Sequence, residues 1–249
     1  MDNSFTKQYE VLYRDADYKL RCRVASLVYF LCDVGNSHAE SVGDTIEYQL
    51  ENGAGWVFYK YDIKIHKYPK YRDVLNVTTM PAGFKKFYAL RDYVIKDQNG
   101  ELIAEATALF FLINIAKRRP MRILPEQYKM YGADGDLEKV KEMDKVSKIE
   151  KEDFYKEFQI RYSDIDSNTH VNNVKYVEWA LESVPQEIIR KLELKRIKIL
   201  FEKEVSYGDR IHVAAEIKHD EDGKVRTLHK ITNKDGEELT LLEIEWEKR

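Results

Sequence analysis

Apolar positions in this chain follow two periods. Val57, Tyr59, Tyr61, Ile63 and Ile65 alternate with polar residues and predict a strand carrying those five side chains on one face. Val174, Val177, Leu181 and Val184 recur at three- and four-residue steps and predict a helix that starts at Asn172 or Asn173, both good N-cap residues. Pro185 interrupts that helix, and residues 186–192 read as a further short one. Asn99-Gly100 and Asp235-Gly236 are hairpin turn signals between apolar runs.

The pattern occurs twice. Glu10-Val-Leu-Tyr-Arg14-Asp-Ala-Asp17 matches Glu157-Phe-Gln-Ile-Arg161-Tyr-Ser-Asp164 at an offset of 147, which Tyr29 and Tyr176 also keep. Tyr71-Arg-Asp73-Val-Leu-Asn-Val77 matches Tyr207-Gly-Asp209-Arg-Ile-His-Val213 at 136, as does Asn99-Gly100-Glu101 with Asp235-Gly236-Glu237. Two constant offsets imply two copies of one fold, with about eleven extra residues between helix and sheet in the first. Each copy reads as a short strand (9–14 and 158–162), a helix and a run of antiparallel strands. The fold class is therefore α+β, a helix wrapped by a curved sheet. Residues 1–132 and 153–249 form the two domains, and the charged stretch 133–152 reads as an exposed, partly helical linker.

Composition narrows the function. The 249 residues include 17 Tyr, 10 Phe and 3 Trp, too many aromatics for a disordered chain. A net charge of −3 disfavours a nucleic-acid binder. No apolar run approaches a membrane span, and the first residues lack the layout of a signal peptide, so a cytoplasmic location is expected. Cys22 and Cys32 both fall in a stretch that reads as helix, where ten residues place them about 15 Å apart, too far for a disulfide. Structural zinc is not expected either.

The copies differ in the loop before the helix. The second has Asp166, Asn168 and His170 where an offset of 147 puts Lys19, Arg21 and Arg23 in the first. An acid, an amide and an imidazole within five residues suit hydrolysis or proton transfer, beside a helix N-terminus that favours negative charge. The same residues are also ordinary turn and capping chemistry. Presence in one copy only tilts the reading toward function.

Arg161-Tyr-Ser-Asp164-Ile-Asp166-Ser-Asn168-Thr-His170-Val-Asn172-Asn173-Val-Lys-Tyr176-Val-Glu-Trp179 closely resembles the signature of acyl-acyl carrier protein thioesterases. Gly55-Trp56-Val57-Phe58, Tyr68-Pro69 and Arg91 with Asn99-Gly100 look like that family's landmarks in the first half. The resemblance implies two tandem hotdog domains and hydrolysis of the thioester between a fatty acyl chain and the carrier's phosphopantetheine. It implies Asp166, Asn168 and His170 as catalytic residues, with a family Glu falling on Glu204. Val205 stands where plant members have a Cys, so no thiol nucleophile is available. Ile197, Ile199, Phe201 and Val205 share odd parity, so Glu204 points to the other sheet face unless a bulge intervenes, and Glu202 is the alternative.

Under this reading His170 and Asn168 polarise the carbonyl or bind the thiol side. Glu204 or Asp166 activates water, or a carboxylate attacks directly. Asn172, Asn173 and Tyr176 are expected to contact substrate. The first helix is expected to line the acyl tunnel through Tyr29 and Phe30, and His38 near its end reads as structural. No metal or organic cofactor is implied, and no nucleic acid. The partner is the acidic acyl carrier protein, met by a basic patch at residues 117–122 or 191–198. A homodimer is compatible with the reading. An acyl-coenzyme A thioesterase is the nearest rival, and a non-catalytic acyl-binding module a more distant one.

Overall fold

In a computed structural model, residues 3–137, 140–166, 169–220 and 223–248 are described. The chain divides into two compact units, Met1–Met143 and Asp144–Arg249.

The first unit runs β1 (Phe5–Glu10), a 3-10 turn (Tyr13–Asp15), α1 (Val24–Ser41), α2 (Ile46–Glu51), β2 (Ala54–Ile65), β3 (Val74–Lys85), β4 (Tyr88–Asp97), β5 (Leu102–Asn114), the short β6 (Arg119–Pro120) and α3 (Pro125–Met130). The strands lie in the order β1-β3-β4-β5-β2, all antiparallel, with β6 folded back on the end of β5. Helix α1 packs on β1 and β3. Its Leu27, Leu31 and Val34 are buried with Tyr61, Ile63, Leu75, Val77, Tyr93 and Ile95 of the sheet. Asn99-Gly100 makes the β4–β5 turn, with Gly100 in the left-handed region.

The second unit repeats the plan with β7 (Phe154–Gln159), a 3-10 turn (Tyr162–Asp164), α4 (Asn173–Glu182), α5 (Gln186–Lys191), β8 (Leu192–Phe201), β9 (Arg210–His219), β10 (Val225–Asn233) and β11 (Glu238–Lys248). Its strand order is β8-β11-β10-β9-β7. Asn172 caps α4 by accepting from the Val174 N–H, and Val174, Val177 and Ala180 are buried. Each unit is a hotdog domain: one central helix and a curved antiparallel sheet.

Several expectations need correction. The first strands begin earlier, at Phe5 and Phe154. Cys22 precedes α1, in a bridge with Ala16, and only Cys32 is helical; both thiols are free. A bulge between Phe58 and Lys60 takes Tyr59 out of the alternation, so it is exposed while Tyr61, Ile63 and Ile65 stay inside. The segment 134–151 has no helix among its described residues. Nor is it merely solvated: the Ser147 N–H donates to buried Glu243 and the Glu150 N–H to buried Glu216. These carboxylates bind backbone that would otherwise be an ordinary loop.

The structure also resets the repeat. Strands β1 and β7, the two 3-10 turns, the bridges Ala16–Cys22 and Ile165–Val171, and the helix starts Val24 and Asn173 all stand 149 residues apart, not 147. The later offset of 136 holds: the amides of His66 and Lys67 bond Ile103, as those of Glu202 and Lys203 bond Leu239. The two offsets differ by 13, and eight of those residues are the longer helix, 18 against 10.

Candidate active site

The loop that joins the 3-10 turn to the helix is built by short-range chemistry. In the second unit the Asp166 N–H donates to the His170 carbonyl at 2.8 Å, and the Thr169 N–H donates to the Asp166 carbonyl at 3.1 Å. The Asp166 carboxylate accepts the His170 N–H at 3.3 Å. Thr169 takes φ 65°, a left-handed conformation the turn imposes. Asn168 lies outside the described residues.

One end of the loop is held by Asp164. Its side chain is 0% exposed and accepts from the Arg161 backbone N–H (2.9 Å), Nε (3.1 Å) and Nη2 (2.9 Å). Desolvation alone would raise this carboxyl, but the Arg161 hydrogen bonds outweigh it and hold it below the usual range. The Asp164 carbonyl accepts the Asn172 N–H, and Lys175 of α4 reaches its carboxylate at 3.9 Å. Asp164 therefore ties the strand end, the loop and the helix start together. The sequence held the signal, an Arg and an Asp three residues apart, but the side-chain burial that makes the pair matter is set by packing.

His170 faces Glu204: Nε2 and Oε2 lie 3.5 Å apart, both side chains half exposed. Glu204 follows β8, which ends at Phe201, so strand parity does not govern where it points. The carboxylate that meets His170 is Glu204. Glu202, the alternative, has its backbone N–H on Leu239. Tyr176 is buried beside the pair, edge-on to Trp179 and Phe201. Burial, then the nearby Glu204 charge, raise its phenol above the usual value. Asn172 spends its side-chain oxygen on the helix cap. Asn173 opens α4, where the Val174 N–H is taken by the Asn172 side chain and the Lys175 N–H by the Asn172 carbonyl.

Of the two lining candidates on α1, Phe30 is buried, whereas Tyr29 is 37% exposed on the outer face. The 149 offset pairs Tyr176 with buried Leu27, not with Tyr29. His38 is structural, as expected. It is buried, its Nδ1 lies 2.7 Å from Arg91, and burial followed by the Arg91 charge pushes it down to about 4.

Aligned at 149, Asp166, Asn168 and His170 stand over Asp17, Lys19 and Arg21. The earlier pairing with Lys19, Arg21 and Arg23 was two residues out of step. The aspartate is thus common to both copies, and the differences are amide for Lys and imidazole for Arg. At 136, Glu204 stands over Tyr68. The first unit indeed sets the Arg21 guanidinium over the Tyr68 ring, 5.3 Å from its centroid, and pairs it with Asp17 at 3.0 Å. There the loop is also zipped to the segment after β2 by backbone bonds, Cys22 N–H to Pro69 (2.8 Å) and Tyr71 N–H to Leu20 (2.9 Å). Among the described residues the equivalent bonds of Val171 and Tyr207 are not made, and His170 meets Glu204 across the opening.

Residues 2–131 match the family model of the acyl-ACP thioesterase N-terminal domain, and residues 147–248 that of the acyl-ACP thioesterase C-terminal domain. The chain is 27% identical over 242 residues to the chloroplastic oleoyl-acyl carrier protein thioesterase of Coriandrum sativum, covering 90% of this chain and 66% of that protein. It is 33% identical over 165 residues to oleoyl-acyl carrier protein thioesterase 2 of Arabidopsis thaliana, covering 62% of this chain and 45% of that one. The chain thus spans between 45% and 66% of the length of these two curated relatives. The crystal structure of a Lactobacillus plantarum protein provisionally assigned as an oleoyl thioesterase superposes with a TM-score of 0.94 at 25% identity, covering 99% of this chain and 97% of that one. The 12:0-ACP thioesterase from Umbellularia californica shares the fold, with a TM-score of 0.86 at 20% identity over 99% of this chain and 95% of its own. With both domains matched in order along the chain, the protein belongs to the acyl-ACP thioesterase family.

Proposed function

We propose that the protein hydrolyses fatty acyl-acyl carrier protein, releasing free fatty acid and the carrier's phosphopantetheine thiol, as a step of fatty acid biosynthesis in the cytoplasm. The observation that carries the reading is the 3.5 Å approach of His170 to Glu204 in the second unit, where the first has Arg21 on Tyr68. Membership of the family and the names of the relatives support the substrate class.

Glu204 serves as general base. It takes a proton from water as the oxygen adds to the thioester carbon. The oxyanion is met by the start of α4, a ten-residue helix whose dipole favours negative charge, with the Asn173 N–H and the Asn168 amide as donors. The carbon–sulfur bond then breaks, and the proton held by Glu204 returns to the departing sulfur by way of His170. Water and thioester are consumed, and acid and thiol are formed. Tyr176 walls the pair with apolar surface. The acyl chain is assigned to the first unit, with Phe30 in its lining.

Parallel assays on acyl-carrier-protein, acyl-coenzyme A and acyl-pantetheine thioesters test the proposal. Hydrolysis fastest on the carrier substrate is expected, with Glu204→Gln and His170→Ala each lowering kcat about 10²–10⁴-fold. Preference for the coenzyme A thioester would instead favour the rival substrate. Near wild-type turnover in both variants would reject the site.

A further inference from the structure

Two tyrosines stand at matched places in each unit. Tyr13 and Tyr162 open the two 3-10 turns, 149 residues apart, and Tyr71 and Tyr207 stand 136 apart on the segments that follow β2 and β8. Their backbones are held by matching bonds. The Asp15 N–H bonds the Leu12 carbonyl at 2.9 Å, and the Asp164 N–H bonds that of Arg161 at 3.0 Å. The Lys70 N–H donates to the Asp73 carboxylate at 2.7 Å, and the Ser206 N–H to the Asp209 carboxylate at 3.0 Å. Arg72 and Gly208, one residue further on, are both left-handed, at φ 74° and 85°. Each pair of segments is also joined at its base. Arg72 N–H bonds Val11 and Val11 N–H bonds Asp73, both at 2.9 Å; Gly208 N–H bonds Ile160 at 3.1 Å and Ile160 N–H bonds Asp209 at 2.8 Å.

Above that base the units part. In the first, the Tyr13 and Tyr71 rings meet edge-on with centroids 6.1 Å apart, and the Arg72 guanidinium lies 5.1 Å from the Tyr71 centroid. A bridge between Arg21 and Lys70 shuts the rest. In the second, Gly208 stands in the place of Arg72, and Tyr162 and Tyr207 are 86% and 68% exposed. Among the described residues neither ring has an aromatic, cationic or hydrogen-bonding side-chain partner. The two tyrosines therefore stand on the two walls of the opening across which His170 meets Glu204. A tyrosine ring offers an apolar face and a polar tip, which suits a ligand that is apolar in the middle and polar along its length.

We infer that Tyr162 and Tyr207 bind the pantetheine arm of the thioester and bring its sulfur beside His170. The inference rests on the thioesterase reading above. The arm is a thin chain with two amides and a dimethyl-bearing carbon. The ring faces pack on the dimethyl segment, and the phenol hydroxyls meet the amides. No arm enters the first unit, because there ring meets ring. Neither tyrosine takes part in proton transfer.

Steady-state kinetics on two thioesters separate arm binding from chemistry. Acyl-pantetheine carries the whole arm; the acyl thioester of N-acetylcysteamine keeps the sulfur but lacks the dimethyl segment. The double variant Tyr162→Ala/Tyr207→Ala should raise KM for acyl-pantetheine about tenfold. Its kcat should stay within about threefold, and its KM for the short thioester within about twofold. Phe at both positions should keep most of the affinity, since the ring faces remain. Both side chains are exposed, so Tm should stay within about 2 °C. Tyr13→Ala/Tyr71→Ala should leave KM for both thioesters as in wild type. Wild-type KM for acyl-pantetheine in Tyr162→Ala/Tyr207→Ala, or an equal rise on both thioesters, would overturn the inference. Calorimetry with an S-alkyl pantetheine thioether, which cannot be hydrolysed, should show the same tenfold loss without turnover. A wild type inactive on every thioester would instead defeat the proposed function, and the thioether would still decide whether the two rings hold the arm.

Discussion

Arg21 lies over the ring of Tyr68 in the place where the second unit sets His170 against Glu204. An imidazole facing a carboxylate can pass a proton; a guanidinium on a phenol ring cannot at any working pH, because arginine stays charged. The first unit should therefore contribute no second centre. Arg21→Ala removes a partly shielded cation–π contact and an ion pair with Asp17, and about 1 kcal/mol of stability should go with them. Urea titration should show that loss with kcat/KM unchanged within twofold. A tenfold fall in kcat/KM would mean that the first loop does more than hold its own shape.

Asp164 should matter more than its distance from the chemistry suggests. Its carboxylate is fully buried and its bonds to Arg161 tether the loop. Removing one partner of a buried charge pair costs several kcal/mol, less where the other charge can reach water, as the 67% exposed Arg161 can. Asp164→Ala is expected to lose about 2 kcal/mol and to lower kcat more than it raises KM. Asp164→Asn should not rescue, because the bidentate acceptor is gone. Unfolding curves and steady-state kinetics on the two variants decide the point.

Acid should destabilise the protein before its carboxylates titrate. In the second unit Trp246 Nε1–H donates to Thr227 Oγ1 (2.9 Å), and Thr227 lies 2.9 Å from His229 Nε2. His229 Nδ1 lies 3.2 Å from Ser183 Oγ, whose single proton goes to the Ala180 carbonyl. The chain closes only with a neutral imidazole, protonated on Nδ1 and accepting at Nε2. Burial pushes His229 down to about 3, and His38 is down to about 4. Both histidines take up protons near 6.5 when unfolded. The unfolded state therefore binds more protons as pH falls below about 6.5, and stability declines by up to about 1.4 kcal/mol per pH unit for each histidine, levelling only near their folded values. Asp164 and Glu243, both held low when folded, add loss in the same direction at lower pH. Urea midpoints between pH 7.5 and 4.5 should show this slope. His229→Gln should be less stable at pH 7.5 but shallower by one proton.

How much of this was legible follows from which interactions are local. The cap at Asn172, the stop at Pro185 and the Asn99-Gly100 turn depend on a few adjacent residues and are visible in sequence. The repeat was visible too, but matching Tyr29 to Tyr176 set it two residues out of step. Leu27 and Tyr176 share a buried position without sharing a residue type, so only packing reveals the pairing. Parity could not place Glu204 because the strand ends at Phe201, a boundary fixed by its pairing with Thr240. The cationic stretch 191–198 showed charge but not its fate. Lys198 is buried against Glu243 at 2.9 Å, and Arg196 is paired with Asp144.

That leaves the hairpin at the end of β5 as the better carrier-docking candidate. Strand β6 pairs back on Ile113 and Asn114, so the turn between them carries Lys117 and Arg118 to its tip, with Arg119 and Arg122 alongside, all four exposed. Exposed charges act over roughly 8–10 Å at physiological salt and govern encounter more than the bound state. Reversing Lys117, Arg118 and Arg119 to Glu should raise KM for an acyl-carrier-protein thioester about tenfold at low ionic strength, with kcat little changed. An acyl-pantetheine thioester carries no acidic protein, so its KM should stay within twofold. Added salt should bring the wild type toward the variant, because it screens the attraction the variant has lost. Equal KM values for wild type and variant on the carrier substrate, at every salt concentration, would remove this hairpin from the docking surface.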